Sequence, residues 1–301
     1  YNYGGCEVLS NLNLAYGCIP FEKMPLNTSL RNHNPKISDL LDCIDTTERG
    51  HEIFARFVKN NTEVKGQLYT PKNNITGFDD IDGFMEIYNS KLYYKHQHRR
   101  LENYKDYIYI NGYEEDTQSI IQNLKELASS GIDNYSNSVQ FWLQSSAYDI
   151  DCDEKKSYLN KMFENSKVAF IYGSAGTGKS TMINHISNFF NDKKKLYLAN
   201  TNPAVDHSKR RGSAPNCTLK TLAKFIAQRN CETEFDLLII DECSTVSNSD
   251  MLKVIRKASF KLLVLVGDVY QIDSIVFGNW FEVARSFVPK TSVFELTKPY
   301  R

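Results

Sequence analysis

The sequence predicts an α/β protein whose second half is a parallel β-sheet covered by helices on both faces, preceded by a smaller α+β domain. Three observations carry that expectation. Short apolar runs recur at residues 168–172, 196–199, 237–240, 262–266 and 293–296, with helical stretches between them, the pattern of parallel strands buried on both faces. A glycine-rich loop follows the first of these runs directly, and acidic residues close the third. The first half reads differently: Gly4-Gly5, Pro20, Pro25, Pro35 and Pro71 break it into short, irregular elements.

In that first half a helix is predicted over 48–59, where Ile53, Phe54, Phe57 and Val58 fall at helical spacing. Residues 84–88, 91–94 and 107–111 are rich in aromatic and β-branched side chains and read as strands. An amphipathic helix is predicted over 117–129, with Ile120, Ile121, Leu124 and Leu127 on one face and Gly131 as its stop. From Gly131 to Asp153 the chain reads as a polar connection interrupted by the apolar residues 139–143. The expected division is therefore a domain over 1–150 and a second over 151–301.

Composition narrows the classes. The 301 residues suffice for two cores of ordinary size. Basic and acidic residues number 36 each, so the net charge is zero and any nucleic-acid contact should be local rather than a general basic coat. No apolar run approaches the roughly 18 residues that would cross a bilayer, and a cytoplasmic location with no membrane partner is expected. The seven cysteines form no C-x-x-C pair and read as free thiols. The chain begins at Tyr1 and stops at Arg301 just after a strand-like run, which reads as a piece of something longer.

The loop Gly173-Ser174-Ala175-Gly176-Thr177-Gly178-Lys179-Ser180 fits G-x-x-x-x-G-K-[ST], between a predicted strand and a predicted helix that begins at Thr181. Glycines let the backbone curl so that its N–H groups converge on phosphate oxygens, where the helix N-terminus adds partial positive charge. Lys179 would neutralise the β- and γ-phosphates and Ser180 would ligate Mg²⁺. Such a loop binds a nucleoside triphosphate and by itself says no more.

Two further segments follow apolar runs. Asp241 and Glu242 end the run 237–240; Asp241 would hold Mg²⁺ and Glu242 would polarise the attacking water. The segment Val266-Gly267-Asp268-Val269-Tyr270-Gln271 ends the next run, and Gln271 could report the γ-phosphate as a neutral donor.

With these residues in order, the chain from about Asp153 onward resembles the superfamily 1 helicases, in their RecD-like branch. The resemblance rests on residues 173–181, Asp241-Glu242-Cys243-Ser244, residues 267–271 and the terminal Leu296-Thr297-Lys298-Pro299-Tyr300-Arg301. It implies a RecA-like P-loop domain that binds ATP with Mg²⁺, the first of two such domains, with the second downstream. It also implies 5′-to-3′ movement on single-stranded DNA, and a γ-phosphate contact for Arg301. Residues 201–206 resemble the family's strand-contact segment, placing Thr201 and Asn202 against single-stranded DNA or RNA. Thr218 and Lys220 lie in a later segment of the same kind, in which Lys220 stands where histidine is usual. Lys209-Arg210-Arg211 falls between the two, so Arg210 and Arg211 are read as phosphate contacts.

The stretch from Lys91 to Arg100, followed by Tyr104 and Lys105, mixes cations with aromatic rings. It reads either as a half-buried strand with tyrosines inward or as an accessory nucleic-acid contact. At the level of the whole chain the alternatives are an ATP-driven motor on nucleic acid and a nucleotide-dependent switch gating an N-terminal binding module.

Overall fold

The computed structural model describes residues 3–6, 12–15, 48–63, 65–146, 148–210, 215–268 and 277–297. Two compact units divide the chain, Tyr1–Glu115 and Asp116–Arg301.

The first unit opens with an antiparallel pair, β1 (Tyr3–Cys6) and β2 (Leu12–Ala15). Helix α1 (Gly50–Glu63), strand β3 (Thr70–Pro71), helix α2 (Ile81–Ser90) and strands β4 (Leu101–Tyr104) and β5 (Tyr107–Ile110) follow. The last three strands make an antiparallel sheet in the order β3-β5-β4. The apolar stripe of α1 does what its spacing predicts: Phe54 and Val58 pack with Met85, Tyr88, Leu101, Ile108 and Ile110 in one core.

Two strand expectations fail in this unit. Residues 84–88 lie in helix α2, whose start is fixed by Asp80, the side chain of which accepts a hydrogen bond from Gly83 N at 2.9 Å. Met85 and Tyr88, three positions apart, then face the core together. Residues 91–94 enter a turn and a 3₁₀ segment, Tyr94–Arg99, rather than a strand.

Helices α3 (Asn111–Leu127), α4 (Tyr135–Ser145) and α5 (Asp153–Lys161) precede the parallel sheet. Six strands, β6 (Val168–Gly173), β7 (Lys195–Ala199), β8 (Cys217–Thr221), β9 (Glu234–Ile240), β10 (Ser259–Gly267) and β11 (Val293–Leu296), lie parallel in the order β11-β6-β10-β9-β7-β8. Between them run α6 (Lys179–Phe189), α7 (Asn202–Arg210), α8 (Leu222–Ala227), α9 (Asn248–Lys257) and α10 (Trp280–Ala284).

Alternation along these strands sorts their side chains into two cores, since successive residues point to opposite faces. Phe170, Leu198, Leu238, Ile240, Leu263 and Leu265 join α3, α8, α9 and α10 on one face. Ala169, Ile171, Tyr197, Ile239, Val264 and Val266 join α4, α5 and α6 on the other. The apolar runs therefore have no polar side, as both faces are covered. The same packing explains why the compact units part between Glu115 and Asp116 and not at the 150/151 division read from the sequence: Ile120 and Leu124 of α3 belong to one sheet core, Tyr135 and Val139 of α4 to the other. Helix α4 forms where a polar connection was expected. Lys195, fully buried, donates to the carbonyls of Phe190 at 2.6 Å and Lys193 at 2.7 Å, and so satisfies oxygens of the turn that follows α6.

Candidate nucleotide site

The glycine-rich loop turns from the end of β6 into α6, and its glycines are there for two different reasons. Gly176 and Gly178 both adopt φ +85°, the left-handed region where a side chain is strained. At Gly173 the obstacle is space, because a Cβ would stand 2.4 Å from Thr177 Oγ1 and 3.2 Å from Leu296. Thr177 is buried, and its hydroxyl donates to the carbonyl of Ser174 at 2.9 Å, closing the loop on itself. Ser174, Ala175 and Gly176 are exposed at its crest.

Lys179 opens α6, and its ammonium folds back onto the loop, donating to Gly173 O at 2.6 Å and Ser174 O at 3.0 Å. Burial holds its pKa below the usual lysine value, while the charges of Asp268 and Asp241 pull the other way. Those two carboxylates come from neighbouring strands. Gly267 pairs with Tyr172 and Leu265 with Ile240, so β6, β10 and β9 bring the loop, Asp268 and Asp241 to one end of the sheet. Ligands of such sheets bind outside the carboxyl ends of the strands.

Asp241 is held from both sides. Tyr197 Oη donates to its Oδ2 and the backbone N–H of Glu242 to its Oδ1, each over 2.8 Å. Glu242 then takes a left-handed backbone, φ 56° and ψ 37°, rare for a residue with a side chain. Burial raises its carboxyl pKa, the Asp241 charge raises it further, and a hydrogen bond from Thr201 opposes both. That Thr201 Oγ1 donor stands 3.5 Å from Glu242 Oε2. Asn200 Nδ2 reaches Thr245 O at 3.1 Å, while Thr245 Oγ1 donates to Glu242 O at 2.8 Å. The turn after β7 and the turn after β9 are thus tied together.

A magnesium ion is implied by this kind of loop. The hydroxyl of Ser180 and the carboxylate of Asp241 are hard oxygen donors of the type the ion takes. Among the described residues no group of three or more His, Cys, Asp or Glu side chains could hold a metal, so the remaining ligands would be phosphate oxygens and water.

Thr201 and Asn202 stand exposed at the start of α7. Thr218 and Lys220 lie on β8 at the sheet's edge, where Lys220 Nζ donates to Gln228 Oε1 at 3.0 Å. Arg210 is described as the last residue of α7 without its side chain, and Arg211, Gln271 and Arg301 lie outside the described residues. Sequence reasoning missed Tyr197 and the place of Asp268. Inside an apolar run Tyr197 looks like core, whereas Asp268 sat in a segment already singled out.

The parallel sheet with covered faces and a phosphate loop after β6 define the second unit as a RecA-like P-loop domain. Residues 153–301 match the family model described as AAA domain. No curated protein sequence matches the chain. Among solved structures, the chain is similar to the Pif1 helicase of a Bacteroides species in complex with ADP-AlF4, at 19% identity and a TM-score of 0.38, over 51% of this chain and 43% of that one. It is also similar to the UvsW helicase of bacteriophage T4, at 13% identity and a TM-score of 0.41, over 65% of this chain and 82% of that one. A third is the arterivirus nonstructural protein 10 helicase in complex with DNA, at 14% identity and a TM-score of 0.32, over 42% and 35%. The chain spans 44% of the length of a further Pif1 structure, that of two coordinating helicases at forked DNA. Among the described residues no helix is long and apolar enough to cross a membrane.

Proposed function

We propose that this chain is part of an ATP-dependent helicase or translocase that works on single-stranded nucleic acid in the cytoplasm. The observation that carries the reading is the arrangement of Lys179, Asp241 and Glu242 at one end of the sheet. A cationic phosphate loop there faces one carboxylate fixed by two donors and a second carboxylate raised in basicity. On binding ATP, Lys179 exchanges the carbonyls of Gly173 and Ser174 for β- and γ-phosphate oxygens. The loop N–H groups take the remaining phosphate charge. Ser180 and Asp241 would hold Mg²⁺, which would supply charge neutralisation when bound. Glu242 orients and polarises the attacking water, and its raised pKa suits a base working near neutral pH.

Coupling to the track runs through Thr201. Its hydroxyl lies beside Glu242, and it starts the segment that resembles the family's strand contact, with Asn202, Thr218, Lys220, Arg210 and Arg211 as further contacts. Gln271 and Arg301 would complete the γ-phosphate contacts, with a second RecA-like domain following in the longer protein. The resemblance favours DNA and 5′-to-3′ movement. The test is ATP turnover by the full-length protein with and without single-stranded DNA. Turnover that rises severalfold with the strand supports the motor. Turnover indifferent to it would instead support a switch that gates the N-terminal unit.

A further inference from the structure

We propose that the first unit carries a single-strand nucleic-acid surface of its own, built on the rings of Tyr94, Tyr93, His96 and His98. The structure puts this segment in a 3₁₀ turn and not in the half-buried strand, and the tyrosines point outward: Tyr93 is 52% and Tyr94 68% exposed. Successive ring centroids stand 4.4 Å apart for Tyr94 and Tyr93, 5.6 Å for Tyr93 and His96, and 6.2 Å for His96 and His98. The rings form a connected series on the surface.

Cations accompany it. Lys95 Nζ lies 5.6 Å from the Tyr94 ring, and the same pairing recurs at Lys105 over Tyr104, at 5.1 Å. Over 91–105 the charged residues are Lys91, Lys95, Arg99, Arg100 and Lys105 against Glu102 alone, which Arg100 pairs at 2.7 Å. Exposed rings with flanking cations are what non-specific single-strand binders present: bases stack on the rings, and lysines and arginines follow the phosphates. Five cations against a single carboxylate over 91–105 complement a polyanionic strand. The occupant that fits is a single strand, DNA or RNA, since every base offers a stacking face.

Fluorescence anisotropy with labelled oligo(dT) and oligo(U), without nucleotide and over a salt series, tests this apart from the ATP site. A failure at Lys179 would concern only the second unit. Tyr93→Ala with Tyr94→Ala should weaken binding about tenfold or more, with the thermal midpoint unchanged. Tyr93→Phe with Tyr94→Phe should bind like the wild type. Lys95→Ala with Arg100→Ala should flatten the log affinity against log salt slope by about 1.4. Comparable losses on both oligonucleotides indicate recognition of bases and phosphates alone, and a loss confined to one identifies the natural strand. The proposal is overturned if the alanine pair binds as tightly as the wild type, or if the phenylalanine pair loses as much as the alanine pair.

Discussion

Tyr197 donates its hydroxyl to Asp241 across 2.8 Å, so a side chain from the middle of β7 fixes the carboxylate at the end of the adjacent strand β9. The ring is buried among the sheet's core residues while the hydroxyl reaches the nucleotide side. Tyrosine can do this because it has an apolar body and a polar tip.

Tyr197→Phe keeps the ring and removes the donor. A hydrogen bond to a charged group contributes about 1.5–3 kcal/mol, so urea unfolding should show a loss of that order. The Mg²⁺ concentration that half-saturates turnover should shift as well. A variant with wild-type values in both measurements would show that the contact orients nothing.

Glu242→Gln should leave ATP binding intact and lower turnover by roughly 10²–10⁴, the range of a general base. It should also change how stability depends on pH. The folded protein raises the Glu242 pKa, first through burial and then through Asp241, so the folded state binds this proton more tightly than the unfolded one. Stability from this group is complete below the ordinary carboxylate pKa and is lost as pH rises through the raised one. The glutamine variant should therefore melt higher than the wild type at neutral pH, and the gap should close in acid. A gap that widens in acid would contradict the assignment.

Asp151 anchors a polar knot beside α6. His185 Nε2 lies 2.6 Å from its Oδ1, Lys155 donates to its Oδ2, and Tyr148 Oη lies 3.0 Å from His185 Nδ1. Burial alone would raise the Asp151 pKa, yet hydrogen bonds from Lys155 and His185 outweigh it and the net direction is down. This stability is present above the ordinary carboxylate pKa and is lost as pH falls through the depressed value. Asp151→Asn removes the negative charge that Lys155 and His185 face, and a hydrogen bond to a charged group contributes about 1.5–3 kcal/mol, so a loss of that order is expected at neutral pH. The variant's acid unfolding limb should also be flatter than that of the wild type. Equal stability at neutral pH would rule out the knot as a structural element.

Much of the second unit was legible because burial on both faces forces apolar runs, and because loop glycines at φ +85° accept few substitutes. The edge strand β8 was not, since its residues are only half-buried and Cys217-Thr218-Leu219-Lys220-Thr221 contains no apolar run. Helix α2 misled for another reason. Phe84, Ile87 and Tyr88 are residues strands favour, and the Asp80 cap with the shared face of Met85 and Tyr88 decided against propensity. Of the site, the loop and the acidic pair were legible as motifs. The ties of Asp241 to Tyr197 and of Glu242 to Thr201 join segments far apart in sequence, which only the sheet order brings together.

The most direct test of the central claim is calorimetric titration of a non-hydrolysable ATP analogue with Mg²⁺ into this chain and into Lys179→Ala. Among the described residues the hydrogen-bond partners of Lys179 are loop carbonyls, so the variant should keep its fold by circular dichroism. The account predicts saturable binding by the wild type and loss of most of that affinity in the variant. Equal affinities in two folded proteins would contradict it.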